Sequence, residues 1–189
     1  MLQLPPMPTW DSLHPLIVHF PIALLLLCPV FIVISAAAKP PKGRPYLMAA
    51  LVVLLLGTIS IFVAASTGAA ASELAERGAA MNAVLESHEA LASETKVIFL
   101  GLSAILMGVF AIPRALRRDE TRLFSTLLPI AFLALYSVGV LFLVNTAHNG
   151  GRLVHEFGVH AMLPTNGAQA ALPPAAETSA VREDMLGRP

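Results

Sequence analysis

One cysteine, Cys28, stands in the whole chain, in the middle of an apolar run. A single thiol excludes a disulfide framework and a cysteine-based zinc site within one chain. It also excludes a covalently attached c-type haem, which needs a C-x-x-C-H motif. Charge is scarce too. Only 13% of residues are charged, against about 25% in ordinary soluble proteins. Lys and Arg number 12, Asp and Glu number 12, so no net charge draws nucleic acid. No glycine-rich phosphate loop is present. Ser60, Ser66 and Thr67 have no acid–base group at a legible spacing, so the chain reads as an accessory or electron-transfer subunit and not as an enzyme. Intramembrane carboxylates, the usual mark of an ion path, are missing from the apolar stretches 15–38, 46–65, 97–112 and 124–144, which argues against a pump or transporter. No internal sequence repeat is evident.

What the chain does have is apolar length. Hydrophobic residues make up 56% of it. Four runs stand out, at about 15–38, 46–65, 93–112 and 124–144. A spanning helix needs roughly 20 mostly apolar residues. The third run reaches that length only if residues 91–95 join it. The runs are Leu- and Ala-rich without alternation, which excludes strands. The expectation is an all-α integral membrane four-helix bundle over residues 1–163, embedded in the lipid bilayer. Residues 164–189 are rich in Ala, Pro, Thr and Ser and bury too little to offset their ordering entropy, so they read as a disordered tail.

Orientation follows from the short connections. Lys39, Lys42 and Arg44 lie between runs 1 and 2, and Arg114, Arg117, Arg118 and Arg122 between runs 3 and 4. The positive-inside rule places both loops in the cytoplasm. Both termini and the long 2–3 connection then face the periplasm of a bacterial inner membrane. Ser35-Ala36-Ala37-Ala38 resembles a signal-peptide cleavage site. No basic n-region precedes run 1, however, and the run is longer than a 7–15-residue h-region, so it reads as a span.

The 2–3 connection carries Ala80, Met81, Val84, Leu85, His88, Leu91, Ala92 and Thr95 at helical spacing. It reads as an amphipathic extension before helix 3 that lies on or leans over the outer surface. Gly150-Gly151 reads as a turn or helix stop.

Histidine is the residue that carries chemistry here. All six lie on the expected outward side, and three helix ends bring them together: His14 and His19 at run 1, His88 before run 3, His148 after run 4. Intramembrane ionisable groups are usually functional. His14 precedes Pro15, as suits a first helical turn. Five residues turn a helix by roughly 500°, so His14 and His19 point ~140° apart and do not share one ion. His19, between Val18 and Phe20, reads as the buried contributor. His155 and His160 are weaker candidates.

The segment Leu13-His14-Pro15-Leu16-Ile17-Val18-His19-Phe20-Pro21 resembles the signature of the domain of unknown function 2231 family of four-helix membrane proteins. Ser66-Thr67-Gly68-Ala69-Ala70 and residues 149–159 are also similar to it, so the resemblance covers about residues 12–162. Where that family often has an aspartate after Thr-Gly and a tyrosine after Gly-Gly-x-Leu-Val, this chain has Ala70 or Ala71 and His155. The resemblance implies a membrane domain that accompanies cytochrome c-type domains and redox enzymes, with His14, His19, His88 and His148 at its recurrent histidine positions. Three readings follow. The first is a b-type cytochrome subunit holding one or two haem b groups, His19 pairing with His148 or His88, with a c-type cytochrome or larger respiratory complex as partner. The second is a copper or zinc site on the outer face. The third is a structural anchor without cofactor.

Overall fold

The computed structural model describes residues 7–75, 78–118 and 121–159. The expected tail at 164–189 and His160 lie outside the described residues. Four helices make up the body: α1 Asp11–Ala37, α2 Arg44–Glu73, α3 Ala79–Ala115 and α4 Leu123–His155. Each is long and apolar enough to cross a membrane. At 1.5 Å per residue they run about 40–55 Å, beyond the ~30 Å hydrocarbon core. The four expected spans are therefore the centres of longer helices. The protein is an all-α, multi-pass membrane bundle.

Each helix packs chiefly on its neighbours in sequence, and α4 closes the ring against α1. Between His19 and Ala37 the buried residues of α1 are Pro21, Leu25, Cys28, Ile32 and Ser35. In α3 they include Thr95, Phe99, Leu102, Leu106 and Val109. Alternating steps of four and three keep one stripe facing inward, the pattern of knobs-into-holes bundles. The outer faces are as apolar as the inner ones; Leu26, Val33, Ile59, Leu100 and Leu141 are exposed and face lipid. Small residues set the approach of the helices. A Cβ on Gly57 would stand 2.6 Å from Leu25 Cδ2, and one on Gly139 2.8 Å from Leu102 Cδ1.

Prolines shape α1. Its α-helical register breaks at Val18, between His14–Ile17 and His19–Ala37. Pro21 has no N–H to give the Ile17 carbonyl, which accounts for the break. Pro29 likewise leaves the Leu25 carbonyl without its helical donor. The Tyr136 hydroxyl of α4 donates to that carbonyl at 2.8 Å, deep in the core. Tyr136 is itself held edge-on by Phe99, with ring centroids 5.6 Å apart.

A single sequence offset carries His14 onto His88 and those five buried positions of α1 onto Thr95, Phe99, Leu102, Leu106 and Val109 of α3. A second offset carries Leu47, Ala50, Leu54, Gly57 and Ile61 of α2 onto Pro129, Phe132, Tyr136, Gly139 and Leu143 of α4, all buried. It also carries Gly68 onto Gly150. The bundle is thus two helical hairpins, α1–α2 and α3–α4, built to one plan and pointing the same way. The repeat escapes the sequence because, beyond the register, two glycines, one histidine and a few Leu and Ala positions, the residues have been exchanged.

The amphipathic extension is continuous with α3 and does not lie flat. Its Met81 and Val84 pack with Leu153, Phe157 and Val159 in a small second core. Gly150 and Gly151 are helical, so the expected stop is absent. Helix α4 ends later, at an αL motif. Gly158 takes φ +66, Val159 N–H donates to Leu153 O, and Gly158 N–H donates to Val154 O.

Candidate functional site

The four helices leave a cavity of about 240 Å³ at the end that carries the histidines. Counted from the opposite, basic end of each helix, its lining spans about 25–40 Å along the axis, from the outer part of a ~30 Å hydrocarbon core toward the headgroups. Small residues from α2 and its neighbours make the space: Ala64, Ala65, Gly68, Ala92 and Ala147. Its surface is mostly apolar. The polar groups that reach it are His14, His88, Thr95, Thr146, Glu89 and Lys96.

His14 and His88 come from opposite hairpins and are close enough to interact electrostatically across the cavity. Their anchoring is alike. His14 Nδ1 lies 2.9 Å from Ala64 O and 3.2 Å from Thr67 Oγ1. A carbonyl only accepts, so Nδ1 carries the proton and donates. The Thr67 hydroxyl donates back to Ala64 O at 2.9 Å. Its oxygen is thereby turned to accept from the ring. His88 Nδ1 donates to Thr146 O at 2.9 Å. Each carbonyl belongs to the residue four before a glycine, Gly68 or Gly150. The ring lies against that glycine. A Cβ would stand 2.9 Å from His14 Cε1 at Gly68 and 3.1 Å from His88 Cε1 at Gly150.

In a neutral imidazole with Nδ1–H committed, Nε2 is a hydrogen-bond acceptor. Neither Nε2 has a partner among the described residues. The site therefore presents two imidazole acceptors in an apolar chamber. Below His88, Thr95 and Thr146 approach to 3.0 Å. Each is also near its own helix carbonyl, Leu91 O at 2.7 Å and Phe142 O at 2.8 Å. Each hydroxyl has one proton, so one bridges to the other helix while its partner donates within its own. Asn149 Nδ2 donates to Ser87 Oγ at 2.9 Å and closes the α3–α4 seam above.

A family model described as "Predicted membrane protein (DUF2231)" matches residues 11–162. The chain belongs to the DUF2231 family. No curated protein and no solved structure matches it. The matched stretch takes in all four helices of the DUF2231 bundle and both cavity histidines.

Two of the four sequence candidates meet in this DUF2231 cavity, and two do not. His14 and His88 both line it. His19 is exposed on the outside of α1, and His148 is exposed on α4. The cofactor reading is corrected by this placement. No group of three or more His, Cys, Asp or Glu side chains converges among the described residues. Of the favoured axial pairings, His19 is exposed on α1, His148 is exposed on α4, and only His88 lines the cavity. The chamber is also smaller than the roughly 300–1,000 Å³ of ordinary small-molecule sites. Haem b, copper and zinc at His14, His19, His88 and His148 are therefore overturned, and with them the b-type cytochrome. Thr67, Thr95, Thr146, Gly68 and Gly150 were not singled out as site residues. The signal for them was the common spacing of Gly57 to Gly68 and Gly139 to Gly150.

Proposed function

We propose that this protein is a membrane binding module that holds a small, lipid-soluble amphiphile in the cavity between its hairpins. The observation that carries the reading is the pair of unpartnered imidazole acceptors in an apolar chamber at the membrane border. Such a chamber selects an apolar body with a hydroxyl or similar donor at its polar end. Apolar walls supply burial at about 25 cal/mol per Å², and the acceptors fix orientation. The imidazoles keep Nδ1–H engaged in holding helices together, which supports binding over catalysis. Of the partners expected from the sequence, the bilayer is supported by the four apolar helices, and a c-type cytochrome or respiratory complex is left resting on the family resemblance once haem is removed.

The basic loops at Lys39–Arg44 and Arg114–Arg122 support a periplasmic position for the cavity and for both termini, in a bacterial inner membrane. Lys42→Cys and Ala79→Cys test this at two exposed positions, since the native Cys28 is fully buried. In intact spheroplasts an impermeant maleimide should label Ala79→Cys and spare Lys42→Cys. The opposite pattern refutes the orientation.

Binding is tested with 4-decylphenol and the protein in nanodiscs, scored as saturable binding above partition into empty discs. Ala92→Trp fills the cavity and should reduce affinity at least about tenfold, the loss of one well-made hydrogen bond or more. Equal binding by the filled variant removes the cavity from the account.

A further inference from the structure

The site inherits the repeat of the fold. His14 and His88 occupy matched positions, bond matched carbonyls at Ala64 and Thr146, and rest on matched glycines. The two hairpins point the same way, so both acceptors lie at one depth in the membrane. Parallel repeats of this kind are related by an axis along the membrane normal. A ligand with one donor satisfies one imidazole and leaves the other unpaired in an apolar space. Two equivalent acceptors lining one chamber from the two hairpins ask for two equivalent donors on one body.

The volume limits that body further. At about 240 Å³ the chamber takes a single ring with small substituents. A long tail has to leave it between helices, toward lipid. Ala64, Ala65, Gly68, Ala69, Ala92 and Ala147 project little into the space and leave room for a ring. We infer that the occupant is a lipid-phase quinol, a para-dihydroxy aromatic ring whose two hydroxyls donate to Nε2 of His14 and of His88. This rests on the amphiphile reading above and names its ligand class. The oxidised quinone has carbonyl acceptors in place of both donors. At the two imidazoles it meets acceptors with acceptors, so these two groups favour the reduced form, while Lys96 is a donor that also reaches the cavity.

The test uses wild-type protein in nanodiscs and four probes: decylhydroquinone, its monomethyl ether, the corresponding quinone, and 4-decylphenol. Decylhydroquinone should bind about tenfold tighter than the monomethyl ether, the contribution of a second hydrogen bond to an otherwise unpaired acceptor. The quinone should bind weakest. The comparison on unaltered protein keeps the result independent of folding. His14→Leu and His88→Leu should each bring decylhydroquinone down to the affinity of its ether, by similar factors. Equal binding of hydroquinone and ether, or of quinol and quinone, overturns the quinol assignment. If 4-decylphenol still binds and Ala92→Trp still blocks it, the amphiphile reading stands without the quinol. If no probe binds saturably, both readings fall.

Discussion

Tyr136→Phe removes one oxygen atom and keeps the ring, so its cost measures one hydrogen bond. The Leu25 carbonyl it leaves behind has no substitute donor, because Pro29 lacks the N–H that a helix would supply. An unsatisfied buried carbonyl costs about 1–3 kcal/mol in soluble cores. Side-chain hydrogen bonds in membrane bundles average about 0.6 kcal/mol and reach about 1.7. The Leu25 carbonyl is fully buried between α1 and α4, so the upper part of that membrane range applies, about 1.5 kcal/mol. The edge contact with Phe99 and the tilted one with Phe132 at 5.8 Å survive in the variant. The decisive comparison is the same change in a Pro29→Ala background. Residue 29 then donates to Leu25 O, and Tyr136→Phe should cost less than about 0.5 kcal/mol, a coupling of about 1 kcal/mol. Reversible unfolding in mixed detergent micelles, followed by helicity, gives all four corners of the cycle. Additive costs would refute the claim that the hydroxyl exists to serve the proline-orphaned carbonyl.

Other changes probe the site and the seams. Gly68→Ala and Gly150→Ala should each displace one imidazole and weaken phenol binding, with similar losses because the two cradles are alike; nanodisc titration reads both. Thr58→Val breaks the buried 2.9 Å contact with Ser103 and should destabilise the docking of the hairpins by about 0.6 kcal/mol, and by little when Ser103→Ala is already present. Gly43→Ala should be far more damaging than Gly78→Ala, since a Cβ at Gly43 meets the Ser35 carbonyl and one at Gly78 meets open space. At the exposed end of α4, the Arg152 guanidinium bonds Glu156 and holds its carboxyl below the usual range. Folded-state pKa is depressed, so this contribution is present at neutral pH and lost as acid protonates Glu156. Glu156→Gln should flatten that part of the stability–pH curve.

The sequence made the membrane helices legible because their lengths exceed any soluble alternative. It made the histidine-bearing end legible as well, through three helix ends. It did not show which histidine faces in. His19 lies between Val18 and Phe20, and apolar neighbours suggest burial. In a bilayer the same neighbours suit a lipid-facing position, and His19 is exposed on α1. The difference lies in rotation about the helix axis, which an all-round apolar sequence does not encode. Gly150-Gly151 misled for a related reason. In water a glycine pair ends helices, whereas in a bundle it opens room for His88. The ~140° separation of His14 and His19 was readable from spacing alone, and it is why one of them reaches the cavity and the other does not.

The hydrogen bonds that fix the two histidines each stay within one hairpin: His14 to α2, His88 to α4. The cavity itself is lined from all four helices and lies on the seam between the hairpins. Synthesis can therefore deliver two finished halves into the membrane, each with its ring already set on its glycine. Only their docking creates the chamber. Whatever fills it acts as mortar between prefabricated walls, and it lengthens the lifetime of the joined state without altering either half.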